Sequence, residues 1–166
     1  MRHQGSALLS AEELAIFWSL YINGTDDLKD IFLAGLPAVY MKNTKYASYI
    51  GLDDNTAQNH ERVDSSSGRH FPEKIRNALI NPKVAPLMAD DLSGLPRTLL
   101  IAARFDVLAS EGVFFKERLQ RAGVEVNHIM FQSFHGFVYQ PYLTEEASRA
   151  TSAIVAFLEQ FDSRNE

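Results

Sequence analysis

The sequence predicts an α/β fold, with a βαβα unit in its second half and helices and loops before it. Three observations carry that expectation. Thr98–Ala103 is a short apolar run of strand length, and Val124–Phe131 reads as a second strand with β-branched Val124, Val126 and Ile129. Glu111–Ala122 lies between them with helical spacing, and a further helical pattern follows Thr144. Strands joined through a helix of this length run parallel, with a right-handed crossover. The expected division is residues 1–80 as helices and loops, and residues 81–166 as the βαβα unit.

Bulk properties set limits. A chain of 166 residues suffices for one ordinary domain, and 46% hydrophobic with 22% charged residues is a globular composition. A net charge of −5, with no basic cluster, argues against nucleic acid as a partner. No apolar run approaches the roughly 18 residues of a membrane span. Met1-Arg-His-Gln-Gly-Ser6 is not followed by the apolar core of a signal peptide. Without cysteine there is no disulfide framework and no thiolate metal site.

In chain order, Ser10 opens the first helix. Ser10 with Glu13 has capping-box spacing, and Leu9 with Leu14 has staple spacing. Leu14, Phe17, Trp18 and Tyr21 then recur on one face. Two readings of this stripe stand: core packing, or a wall over a pocket that makes Phe17, Trp18 and Tyr21 substrate contacts. Asn23-Gly24 stops the helix. Asn23-Gly24-Thr25 is also a glycosylation sequon, which matters only in a secretory lumen. Asp26–Ala34 reads as a short helix stopped by Gly35 and Pro37.

From Val39 to Arg69 the pattern weakens, and Tyr40, Tyr46, Tyr49 and Ile50 are scattered among polar residues. Asp53-Asp54-Asn55 and Asp64-Ser-Ser-Ser-Gly68 are loop chemistry. Phe71–Ile80 reads as a helix with Pro72 in its first turn. Prolines 82, 86 and 96 then punctuate an extended linker. Asp90-Asp91 lacks a neighbouring third ligand, so a turn or capping role is expected in place of a metal site. Thr98–Ala103 is continuously apolar, as in a parallel strand covered on both faces. Phe115, Leu119 and Ala122 share a face of the next helix, and Gly123 stops it. Thr144 is placed to cap the last helix, with Glu145 and Glu146 at its positive end. Ala147, Ala150, Ile154, Leu158 and Phe161 are its expected core face.

The chemistry concentrates at two positions. Asp106 follows the first strand and His135 follows the second. Neighbouring strands lie about 4.8 Å apart, so side chains leaving their C-terminal ends can meet, and open α/β sheets place ligands there. A carboxylate that accepts from one imidazole nitrogen fixes the tautomer and leaves the other nitrogen as a base. Blander readings remain: an Asp after a strand often caps a helix, and a loop His is often merely solvated. His128 and Glu111 compete, but His128 lies within a strand, and the dipole of a helix start already accounts for Glu111. His3, His60 and His70 have no partner at useful spacing.

Several stretches resemble the α/β-hydrolases of the hormone-sensitive lipase group. They are Ala85-Pro-Leu-Met-Ala-Asp-Asp-Leu-Ser-Gly-Leu-Pro96, Phe105-Asp-Val-Leu-Ala-Ser-Glu-Gly112, Gly123-Val-Glu-Val126 and Phe134-His-Gly-Phe137. Phe17-Trp-Ser-Leu-Tyr21 resembles the helix that leads into the family's cap. The resemblance implies the C-terminal part of a hydrolase sheet, preceded by cap or lid elements over residues 1–80. It implies Asp106 as the triad acid, His135 as the base, and Phe17, Trp18, Tyr21 and Phe137 as substrate contacts. It also implies hydrolysis of apolar esters or arylamides through an acyl-enzyme, with neither metal nor organic cofactor. The family's order is an oxyanion loop, Gly-x-Ser-x-Gly, acid, then His. No His-Gly-Gly and no Gly-x-Ser-x-Gly occurs in this sequence. The expectation is therefore a fragment that carries acid and base, is inactive alone and is marginally stable. Membrane contact would come only through a preceding region, and the endoplasmic reticulum lumen is suggested by the resemblance alone. The alternatives are a non-catalytic binding or interaction module, or an unrelated small βαβ domain.

Overall fold

A computed structural model describes residues 8–42, 44–51 and 72–162. The helices are α1 (Ala11–Asn23), α2 (Lys29–Leu33), α3 (Leu36–Lys42), α4 (Glu73–Ile80), α5 (Ala109–Arg121) and α6 (Glu145–Asp162). The strands are β1 (Thr98–Ala103) and β2 (Val126–Phe131). Short 3-10 turns occupy Ala47–Ile50, Pro86–Met88 and Phe137–Tyr139. The expected loops at 53–55 and 64–68, together with Phe71, His3, His60 and His70, lie outside the described residues. Two compact units result, one over residues 11–92 and one over 93–162 with 8–10.

The first unit closes around Leu28, Met41, Ile75, Leu79 and Met88. Tyr40, Tyr46, Tyr49 and Ile50, which look scattered in the sequence, all pack on this core. Here α1 corrects the expectation of an aromatic core face. Its buried residues are Ala15 and Ser19, while Phe17 and Tyr21 are 57% and 71% exposed. The reason is a polar clasp. The Ser19 hydroxyl donates to the Thr25 carbonyl at 2.6 Å and accepts from the Leu28 amide at 2.9 Å. That clasp folds the following chain onto the small-residue side of α1. Among the described residues Trp18 keeps an aromatic partner, Phe32, at 5.9 Å between ring centroids. Gly35 ends α2 with a positive φ of 71°. Pro37 does not end a helix; it sits in the first turn of α3, where no amide is needed. Asp90 binds the Lys45 ammonium at 2.7 Å on the surface.

The second unit is the βαβα unit. β1 and β2 pair in parallel, from Thr98 opposite Val126 to Ala103 opposite Phe131. Alternation places Ile101, Ala103, Ile129 and Phe131 on the α6 side, with Phe137, Ala147 and Ala150. Leu100, Ala102, His128 and Met130 take the α5 side. A Cβ on Gly112 of α5 would stand 3.7 Å from the Ala102 methyl, an ordinary van der Waals contact that puts this position of α5 against β1. Gly123 (φ 80°) terminates the segment after α5, and Leu119 is fully buried. The Thr144 hydroxyl accepts from the Ala147 amide at 3.1 Å, as the cap spacing requires. Two expectations need correction. The strands are only partly covered, with Ala103 and Phe131 alone reaching full burial. On α6, Ala147 and Ala150 are buried, Ile154 is half-buried and Leu158 is 57% exposed; the Phe161 side chain lies outside the described residues.

Candidate active site

The ladder between the strands continues past their ends. The Arg104 amide donates to the Phe131 carbonyl at 2.8 Å, and the Phe105 amide to the Ser133 carbonyl at 3.0 Å. These bonds hold the two exiting chains side by side. β1 then turns back: the Asp106 amide reaches the Ala103 carbonyl at 3.3 Å, and the Asp106 carbonyl accepts from Ala109 at 3.1 Å. One carboxylate oxygen, Oδ1, accepts from the Leu108 amide at 2.9 Å. The other, Oδ2, lies 2.9 Å from Nδ1 of His135. Asp106 thus serves both roles that its position suggested, shaping the turn into α5 with one oxygen and engaging the imidazole with the other.

The His135 side is fixed as firmly. Gly136 adopts a left-handed φ of 74°, which reverses the chain directly after the imidazole. Phe137 then plunges into the core at 3% exposure, 5.4 Å from Phe131 between ring centroids. On the other side, Ser133 is buried. His135 is therefore carried between two anchored residues. Its side chain remains 38% exposed, against 15% for Asp106, so the carboxylate is sheltered and the imidazole is open. Both line a cleft of roughly 700 Å³ with Leu99, Ile101, Leu108 and Tyr139. A carboxylate at Nδ1 favours the proton there and leaves Nε2 with a free lone pair. Among the described residues that atom makes no hydrogen bond.

The other candidates distribute as follows. Phe137 both lines the cleft and belongs to the core. Phe17, Trp18 and Tyr21 belong to the first unit and are described there. His128 sits on the α5 side of β2, its Nε2 buried without a hydrogen bond. Burial pushes its pKa below the usual 6.5, and the Lys116 charge adds to the effect. Glu111 stands in the first turn of α5 and accepts from the Ser110 hydroxyl at 3.0 Å. Sequence reasoning passed over two contributors. Gly136 carried a signal in its position after His135; the Leu108 amide carried none, because every residue but proline offers one. Among the described residues no three His, Cys, Asp or Glu side chains gather as a metal would need. No described helix is long and apolar enough to cross a membrane.

Known proteins resemble the chain as a whole. Arylacetamide deacetylase of Bos taurus is 30% identical over 135 residues, covering 78% of this chain and 34% of that protein. Neutral cholesterol ester hydrolase 1 of Bos taurus is 30% identical over 115 residues, covering 66% and 28%. A solved ester hydrolase from the metagenome of Lake Arreo aligns at 26% identity with a TM-score of 0.49, over 51% of this chain and 27% of that one. The chain thus spans about a third of the length of the curated relatives it matches. The family model for the alpha/beta hydrolase fold matches residues 34–139, which include β1, α5, β2 and both members of the pair, and the chain belongs to that family.

Proposed function

We propose that this chain is the acid-and-base portion of a serine ester or arylamide hydrolase. The observation that carries the reading is the 2.9 Å contact between His135 Nδ1 and Asp106 Oδ2 at adjacent ends of parallel strands. The nucleophile is a serine in the part of the longer protein outside this chain. His135 Nε2 takes the serine Oγ proton as Oγ attacks the substrate carbonyl carbon. The imidazolium, held by the ionised Asp106, then gives that proton to the departing alcohol or amine. Water enters by the same route and frees the acid. The acyl or aryl group is apolar, in keeping with the largely apolar cleft and with the substrates named for the two bovine relatives.

The test uses the full-length protein with an aryl ester such as p-nitrophenyl butyrate. Asp106→Asn keeps an oxygen for the Leu108 amide, so the turn survives while the tautomer support is lost. The expected loss in kcat is about 10⁴-fold, the cost of the same change in a serine protease. His135→Ala should fall at least as far. Ester hydrolysis that survives both substitutions would end the proposal. The 166-residue chain alone should neither turn over the ester nor take a fluorophosphonate label.

A further inference from the structure

The turn Asn23-Gly24-Thr25 has a part that the fold does not use. α1 ends there because the Gly24 amide donates to the Leu20 carbonyl at 2.8 Å and Gly24 takes a left-handed φ of 78°. That stop requires the glycine. The clasp onto Ser19 uses the Thr25 carbonyl, which any residue supplies. The Thr25 side chain enters neither. Among the described residues its hydroxyl bonds one group, the Asn23 carboxamide, whose Nδ2 donates to Thr25 Oγ1 at 3.0 Å.

The surroundings are open. Gly24, Thr25, Asp26 and Asp27 are exposed, and Asn23 is half-buried. A Cβ built on Gly24 would meet nothing within 4 Å. Asn23 Nδ2 also makes a longer bond to Asp27 Oδ2 at 3.4 Å, and its Oδ1 accepts from Lys74 Nζ of α4 at 3.1 Å. Substitution at Nδ2 leaves one N–H, so one of its two bonds can persist, and the Oδ1 bond to Lys74 is untouched. A carboxamide at the surface, with a hydroxyl two residues on and no proline between, is what an N-linked oligosaccharide requires of its acceptor. No other Asn-x-Ser or Asn-x-Thr occurs in the sequence.

We infer that Asn23 is a glycosylation site, modified in a secretory lumen by an oligosaccharide from a lipid pyrophosphate carrier. Nδ2 bonds to the anomeric carbon of the sugar, and the bond from that carbon to the pyrophosphate oxygen breaks. The carrier leaves with the electron pair, and Nδ2 gives up one proton. Transfer takes place on the emerging chain. The folded unit then has to hold the product, and the exposed turn between α1 and α2 holds it at the surface. The inference commits the first unit to a secretory lumen. It also requires the rest of the longer protein to leave this turn uncovered. It does not rest on the hydrolase reading.

The test uses the full-length protein made in animal cells with a mannosidase inhibitor, so that every oligosaccharide stays sensitive to endoglycosidase H. That enzyme leaves one N-acetylglucosamine on the asparagine, and peptide mass spectrometry locates it. The expected result is this sugar on Asn23 in most copies of the parent and of Thr25→Ser, and a bare Asn23 in Thr25→Ala. Before digestion, Asn23→Gln should migrate ahead of the parent on a denaturing gel by one oligosaccharide, and digestion should remove the difference. Transfer precedes folding, so the readings are taken on total cell protein and hold even where a variant fails to fold. An Asn23 that is bare in most parent copies, or that keeps its sugar in Thr25→Ala, overturns the inference. Ester hydrolysis by the parent is scored separately. A glycosylated but inactive protein counts against the hydrolase reading alone, and an active protein with a bare Asn23 counts against this inference alone.

Discussion

Replacing Phe137 by alanine separates two uses of that residue. At 3% exposure, with its ring 5.4 Å from that of Phe131, it is a core residue that also borders the cleft. Its cluster joins Ala103, Ala147 and Ala150 to Phe131, with Ile101, Ile129, Phe134 and Val138 packed against it. The alanines cannot expand into a phenyl-sized gap, and the larger side chains can relax into it only in part. The loss therefore falls within the usual range of about 3–5 kcal/mol. Phe137→Leu keeps most of the volume and should cost about 1–1.5 kcal/mol. Against a typical domain stability of about 5–15 kcal/mol, the alanine loss is a large share. Urea unfolding followed by circular dichroism measures both, provided the slope m is unchanged between variants. An alanine variant within about 0.5 kcal/mol of the parent would refute the packing argument, and Phe137 would then be a cleft wall and little more.

Other predictions follow from single features. Gly136→Ala meets no clash, because the nearest atom is 3.8 Å away, so its cost is the left-handed backbone alone, about 1–2 kcal/mol. Gly136→Asn should cost less, and thermal melts of the two rank them. Thr144→Ala removes the oxygen that accepts from the Ala147 amide and should cost about 1 kcal/mol by the same assay. Burial lowers the His128 pKa, so the unfolded chain binds this proton more readily than the folded one. The resulting penalty is absent well above the ordinary value of 6.5, grows as pH falls below it, and levels off below the folded value. His128→Gln should flatten that part of the stability–pH curve, and an unchanged acid slope would contradict the assignment.

Much of the second unit was legible because local rules and tertiary packing agree there. The strand limits at Thr98–Ala103, the stop at Gly123 and the Thr144 cap all follow from near-neighbour chemistry. Asp106 and His135 were legible as a pair because strand-end geometry leaves few other places for them to meet. The first unit was harder. Which side of α1 turns inward is set by the Ser19 clasp to Thr25 and Leu28, and periodicity alone gave more weight to Phe17 and Tyr21 than to a serine. The same limit applies to Tyr46 and Tyr49, whose core comes from distant Ile75, Leu79 and Met88. The strands read as fully covered because their composition suits two neighbours, and the described residues give β1 only one.

The most direct test concerns the tautomer of His135. Long-range ¹H–¹⁵N correlation spectra of the ¹⁵N-labelled chain at alkaline pH report which ring nitrogen carries the proton. The 2.9 Å contact with Asp106 Oδ2 predicts a protonated Nδ1 and a bare Nε2, with the preference lost in Asp106→Asn. A proton on Nε2 in the parent chain, or a spectrum unchanged by the substitution, would contradict the claim that Asp106 prepares His135 to act as a base.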